Sequence, residues 1–170
     1  MNNFVLIFVC TGNICRSPMA EGIMKEMVLD EFVMNRQVMP VEILSAGTHA
    51  PIGSSVSRFA LEVADKHGIN LRFHRSKQVT EQIVNAADLI LTMEENHTEY
   101  IRQHWPGVDY VFELKRFGRN DSATEDSPDI NDPIGMGIEV YIRVFDELQS
   151  EIARVSKTIY SLVLDKYRVK

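Results

Sequence analysis

The chain alternates short apolar runs with longer stretches in which apolar residues recur every three or four positions. Phe4 to Val9 is uninterrupted, the pattern of a strand buried on both faces. Met19, Ala20, Ile23, Met27 and Val28 follow at helical spacing, with Ser17 and Pro18 as expected N-cap and first helical residue. Val41 to Leu44, Leu89 to Leu91 and Tyr110 to Phe112 predict three more strands. Val56, Phe59, Ala60, Val63 and Ala64 predict a helix that stops at His67-Gly68, and Thr80 predicts the cap of a brief one through Ile83 and Val84. A charged helix carries Ile101 and Trp105 as far as Pro106-Gly107. The closing helix carries Val140, Val144, Leu148, Ile152, Val155 and Ile159. Strands alternating with helices imply an α/β protein: a single-domain three-layer sandwich over residues 1–170, with a four-stranded parallel sheet and right-handed crossovers.

One stretch breaks the alternation. The nineteen residues from Glu113 to Asn131 are polar and rich in Asp, Ser and Asn, and a structureless segment of that length in a compact domain is usually functional. Composition narrows the classes of function. A net charge of -6 makes nucleic acid a poor partner. The N-terminus lacks the basic region and the apolar length of a signal peptide, and bulky Val9 before Cys10 argues against a lipoprotein site. No apolar span reaches membrane length. Two cysteines in one loop make neither a secreted disulfide framework nor a zinc site, so a cytoplasmic location and no metal or cofactor are expected.

The chemistry lies between the first strand and the first helix, in Cys10-Thr11-Gly12-Asn13-Ile14-Cys15-Arg16-Ser17-Pro18. A loop at a helix N-terminus presents backbone N–H groups and a positive dipole end to an anion. Arg16 can hold two phosphoryl oxygens bidentately, and the same field favours a thiolate at Cys10. A nucleophile beneath a cradled phosphate means phosphoryl transfer to cysteine. Gly12 and Asn13 tolerate the left-handed backbone such a loop requires. A leaving oxygen needs a proton, and the long polar stretch offers Asp121, Asp126, Asp129 and Asp132. Asp132 stands apart because Pro133 restricts its backbone and so fixes the direction of its carboxyl group. Ser17 has two competing roles for one hydroxyl: helix cap, or partner of the Cys10 sulfur.

Cys10 to Arg16, followed by Ser17-Pro18-Met19-Ala20-Glu21 and by Asp132-Pro133, resembles the low-molecular-weight protein-tyrosine phosphatases, and the resemblance runs over nearly the whole chain. It implies a Rossmann-like or flavodoxin-like fold and a phosphorylated protein as partner, with no nucleic acid or membrane, the enzyme being a monomer or weak homodimer. Cys10 is then the nucleophile, Thr11 to Arg16 the phosphate-binding loop and Asp132 the general acid and base. Ser17, Ser45 and His74 support the loop, the last two by hydrogen bonds to Asn13 and its neighbourhood. Cys15 matches a position where some members carry a second cysteine. It is either a small residue packed under the loop or a redox partner that captures oxidised Cys10.

Two features depart from the tyrosine-specific pattern. Where those members place rim aromatics, this chain has Ile134-Gly135 and Pro51-Ile52, which predicts an aliphatic wall, and Ile134-Gly135-Met136-Gly137 more resembles a bacterial branch that includes protein-arginine phosphatases. The fourth residue after the nucleophile is Ile14 rather than the threonine of the arginine-specific enzymes, which favours phosphotyrosine. Arsenate reductases of similar fold need cysteines outside this loop, and the chain has none. A binding module without catalysis is disfavoured, since Cys10, Arg16 and Asp132 are all present.

Overall fold

The first apolar run forms β1 (Phe4–Cys10), at the centre of a sheet with β2 (Val41–Gly47), β3 (Leu89–Thr92) and β4 (Val111–Glu113). All pairings are parallel, in the order β2-β1-β3-β4. The computed structural model describes residues 3–35, 40–119 and 127–168. The two faces of β1 supply two cores. Leu6 and Phe8 pack with Met19, Ile23 and Met24 of α1 (Arg16–Asn35), Ala60 and Val63 of α2 (Arg58–Lys66), and Phe145, Leu148 and Ile152 of α5 (Ile138–Arg168). Ile7 and Val9 pack with Val84 of α3 (Glu81–Ala86) and Ile101 of α4 (Glu95–His104). Each fully buried aliphatic or aromatic side chain contributes about 1.5–3 kcal/mol, so the middle strand carries a large share of the stability. From β1 the chain steps to β2 on one side and returns past β1 to β3 on the other. That reversal of strand order is where ligands sit in open α/β sheets, and the Cys10–Arg16 loop emerges there.

The capping signal holds at Thr80, which accepts from Ile83 N, and Ser57, not singled out in the sequence, caps α2 by accepting from Ala60 N. Other boundaries move. β1 runs on to Cys10, β2 takes in Ser45-Ala46-Gly47, β4 lies one residue later than the apolar run implies, and Trp105 follows the last residue of α4. Ser17 is not the cap of α1. Met19 N donates to the Cys15 carbonyl at 3.3 Å, so the first helical hydrogen bond already starts at Cys15 and the helix begins at Arg16. Pro18 still falls in the first turn, where its missing N–H has no intrahelical partner to lose. The stretch after β4 is not structureless at its start. Residues 114–118 turn tightly, and Arg154 of α5 donates to the carbonyls of Leu114, Lys115 and Phe117. Among the described residues no helix is long and apolar enough to cross a membrane.

Candidate active site

The loop between β1 and α1 is held from outside by its own carbonyls. Those of Cys10, Thr11 and Ile14 accept from the backbone N–H groups of Thr48, His49 and Ser57 at 2.8–2.9 Å, and that of Asn13 meets His74 Nε2 at 2.9 Å. A trans peptide points its N–H opposite to its C=O. With these carbonyls turned outward, the N–H groups of Thr11, Gly12, Ile14 and Cys15 turn inward to a common centre. Asn13 makes the bend. Its φ of 53° is the one positive value outside glycine among the described residues, a conformation that asparagine adopts more readily than most. Its buried amide supports the bend: Nδ2 donates to Ser17 Oγ and Ser45 Oγ, both at 2.9 Å, while Oδ1 accepts from Lys77 N at 2.8 Å. Ser45 in turn donates to Glu21 at 2.5 Å. Burial lowers the His74 pKa against the raising effect of the Asn13 carbonyl, so the imidazole meets that carbonyl in its neutral form at neutral pH.

Cys10 Sγ accepts from Asn13 N at 3.3 Å and lies 3.0 Å from Ser17 Oγ. Of the two roles open to Ser17, the structure therefore places its hydroxyl on the sulfur. Gly47 completes the support, and the sequence reading gave it no role. A Cβ there would stand 2.5 Å from the Thr11 carbonyl oxygen and 2.9 Å from Asn13 N, so only glycine lets β2 approach the loop this closely.

Arg16 is almost wholly buried. One terminal nitrogen pairs with Glu94 and donates to the Ile130 carbonyl at 2.8 Å; the other meets Asp132 Oδ2 at 2.7 Å. Its Nε–H is buried with no partner among the described residues, a donor that an anion's oxygen would satisfy. Burial works to raise the Glu94 carboxyl, but the hydrogen bond and charge of Arg16 outweigh it and hold Glu94 below the ordinary carboxylate range. His97 Nε2 reaches Thr11 Oγ1 at 2.9 Å. Burial depresses the imidazole to about 4, with Glu94 opposing and Arg16 assisting, so His97 is neutral at neutral pH. Glu94 and His97 were not singled out from sequence. The signal that could have found them is their place just beyond the carboxyl end of β3, beside the switch point.

Asp132 is fixed by local turns. Its Oδ1 accepts from Ile134 N at 3.2 Å, Met136 N donates to the Pro133 carbonyl at 3.0 Å, and Gly135 takes a φ of 76°. Asp129, a rival for the same role, accepts from Glu95 N at 2.9 Å at the start of α4. Asp121 and Asp126 lie outside the described residues. Cys10, Thr11, Gly12, Ile14, Cys15, Arg16, Asp132 and Ile134 together line a cavity of about 130 Å³. Asn13, Ser17, Ser45 and His74 stand behind the loop. The wall is aliphatic at Ile14 and Ile134, while Pro51 and Ile52 are not part of it. Both cysteines are free thiols; Cys15 donates to Ser57 Oγ at 3.2 Å and lies 3.4 Å from Tyr141 Oη. Burial pushes its pKa up despite those two bonds.

A central parallel sheet with a cysteine, an arginine and an aspartate in one cavity beyond its carboxyl edge defines a cysteine-dependent phosphatase class. The model of the low molecular weight phosphotyrosine protein phosphatases matches residues 5–162, and the chain belongs to that family. It is 37% identical over 155 residues to a protein-arginine-phosphatase of Geobacillus stearothermophilus, covering 91% of this chain and 95% of that one. To the Staphylococcus aureus low molecular weight protein-tyrosine-phosphatase PtpB it is 33% identical, covering 91% and 98%. A solved structure of the YwlE arginine phosphatase, with a phosphorylated serine replacing the active-site cysteine, superposes with a TM-score of 0.80 at 32% identity, covering 92% of this chain and 95% of that one.

Proposed function

We propose that the protein hydrolyses the phosphorylated side chains of cytoplasmic proteins through a phosphocysteine on Cys10, with phosphotyrosine as the preferred substrate. The single observation that carries this reading is the convergence of Cys10, Arg16 and Asp132 on one cavity under inward-facing amides. The phosphoryl oxygens accept from those amides and from Arg16, whose Nε–H is the unpartnered donor. Cys10 sulfur attacks phosphorus, the bond to the leaving oxygen breaks, and Asp132 gives that oxygen its proton. In the second step Asp132 takes a proton from water as the water oxygen attacks phosphorus. Inorganic phosphate leaves, and the thiolate is released beside the Ser17 hydroxyl. The phosphorylated serine of the YwlE variant supports transfer to the residue at this position. A free catalytic thiol also suits a reducing compartment.

The preference for phosphotyrosine rests on Ile14. A phosphoarginine guanidinium brings several N–H donors against Ile14 and Ile134, and each donor that loses water without a partner costs about 1–3 kcal/mol. A phenyl ring loses nothing there and gains apolar contact. The missing rim aromatics weaken ring stacking by only about 0.5–1.5 kcal/mol. The desolvation cost is larger, so kcat/KM for phosphotyrosine peptides exceeds that for phosphoarginine peptides by roughly tenfold or more, and Ile14→Thr narrows the gap. The similarity to the Geobacillus arginine phosphatase favours the second reading, phosphoarginine. Side-by-side rates on the two peptides decide, and a phosphoarginine preference in the unchanged protein refutes the weight given to Ile14.

Cys15 shares the cavity with Cys10, which leads to a redox expectation. Hydrogen peroxide oxidises the Cys10 thiolate to a sulfenic acid; Cys15 sulfur displaces hydroxide from it, and water and a disulfide result. Peroxide therefore inactivates reversibly, and an added dithiol restores activity. Recovery that is unchanged in Cys15→Ser assigns Cys15 to packing alone.

A further inference from the structure

We propose that His97 is a positioning residue for the first amide of the phosphate loop, acting through Thr11, so that one corner of the sheet fixes both ends of that loop. The proposal rests on the phosphatase reading given above. The corner is the turn from β3 into α4, and it is tied on every side. Met93 N donates to the Val9 carbonyl at 2.9 Å and Ile130 N to the Met93 carbonyl at 2.7 Å. Thr92 Oγ1 lies 2.7 Å from Thr98 Oγ1, and Asp129 accepts from Glu95 N. From this braced segment Glu94 reaches Arg16, the last residue of the loop, and His97 reaches Thr11, the first after Cys10. Residues three apart at the start of a helix thus hold residues five apart in the loop.

The imidazole is suited to holding without charging. It is buried, and its Nδ1 has no hydrogen-bond partner among the described residues. A buried lone pair without a donor costs less than a buried N–H without an acceptor, so the proton sits on Nε2 and is donated to Thr11 Oγ1. The neutral ring adds no charge behind Thr11, and Arg16 is the cation on the cavity wall among the described residues. Thr11 is then held by its hydroxyl, and the peptide that carries its N–H is held through the Cys10 carbonyl, which accepts from Thr48 N at 2.9 Å. Its N–H, one of the four that turn inward, cannot rotate away from the phosphoryl group. Preorganised donors act most strongly where charge develops, so losing this hold lowers kcat more than it raises KM.

The test uses His97→Ala, His97→Gln, His97→Asn, Thr11→Val and the His97→Ala/Thr11→Val double variant, with an aryl phosphate as substrate. His97→Ala and Thr11→Val each lower kcat by roughly five- to tenfold, the scale of one lost hydrogen bond, with a smaller change in KM. The double variant is no slower than the worse single one, since both remove the same bond. His97→Gln restores most of the rate because its amide nitrogen reaches the position of Nε2, whereas His97→Asn does not. Additive losses, a His97→Gln variant as slow as His97→Ala, or an unchanged kcat in Thr11→Val overturns the proposal. Thr11→Val deletes one hydroxyl and carries the test should His97→Ala not fold. Cys10→Ser is assayed alongside: an active Cys10→Ser protein refutes the phosphocysteine reading on which the proposal rests, and an inactive one with an unaffected Thr11→Val refutes only the role of His97.

Discussion

Cys10→Ser lowers turnover of an aryl phosphate by roughly 10³-fold or more while inorganic phosphate still binds within a few-fold of its original affinity. The two outcomes separate because different atoms carry them. Binding rests on the inward amides of the loop and on Arg16, whose hold on Glu94 and on the Ile130 carbonyl does not involve the sulfur. Asn13 N and Ser17 Oγ remain to hydrogen-bond a serine oxygen, so the loop keeps its shape. Attack fails because a serine hydroxyl keeps its proton near neutrality, and among the described residues its hydrogen-bond partners are a backbone N–H and a second hydroxyl rather than an imidazole or other base. Even where phosphorylation occurs, an alkoxide is a far poorer leaving group than a thiolate, so the second step stalls. Initial rates, phosphate titration and intact mass measure the three consequences. Comparable turnover in Cys10→Ser removes the covalent mechanism.

The parts of this site legible from the residues alone lie close together along the chain, whereas Ser45 and His74, which reach Asn13 from 32 and 61 residues away, were legible only through the family resemblance. The loop from Cys10 to Arg16 sits between a strand and a helix, and its spacing alone implies an anion site. Asp132 drew attention because Pro133 follows it directly, and in the structure its carboxylate accepts from Ile134 N beside the turn at Gly135. Glu94 and His97 were not legible, because each acts across about 80 residues of chain and looks locally like an ordinary polar residue at the start of a charged helix. Gly47 matters through the space it leaves, and no pattern of residue types marks a distance of 2.5 Å. The role of Ser17 turned on two residues of helix boundary, and boundaries are set by which carbonyl accepts first, here that of Cys15. The aliphatic rim was half legible. Ile134 lines the cavity, whereas the loop carrying Ile52 leaves that side chain largely exposed elsewhere.

Asp132→Ala slows hydrolysis of phenyl phosphate by roughly 10² to 10⁴, the range for loss of a general acid. A phenolate of high basicity departs poorly without a proton, so the penalty falls on formation of the phosphocysteine. A nitrophenolate departs unaided, and the burst phase with nitrophenyl phosphate is reduced much less. The ratio of the two losses distinguishes proton transfer from a general disturbance of the site, which slows both alike. Affinity moves in the opposite direction. Asp132 Oδ2 occupies one terminal nitrogen of Arg16 at 2.7 Å, and its removal frees that donor for a phosphoryl oxygen while deleting a negative charge beside the cavity. Inorganic phosphate therefore inhibits Asp132→Ala at lower concentration than it inhibits the unchanged protein. Asp129→Ala, whose lost carboxylate accepts from the start of α4, costs stability and leaves the leaving-group dependence unaltered. If instead Asp129→Ala shows the steep dependence on the leaving group and Asp132→Ala does not, the proton comes from Asp129, and the pairing of Asp132 with Arg16 serves only to hold the loop closed.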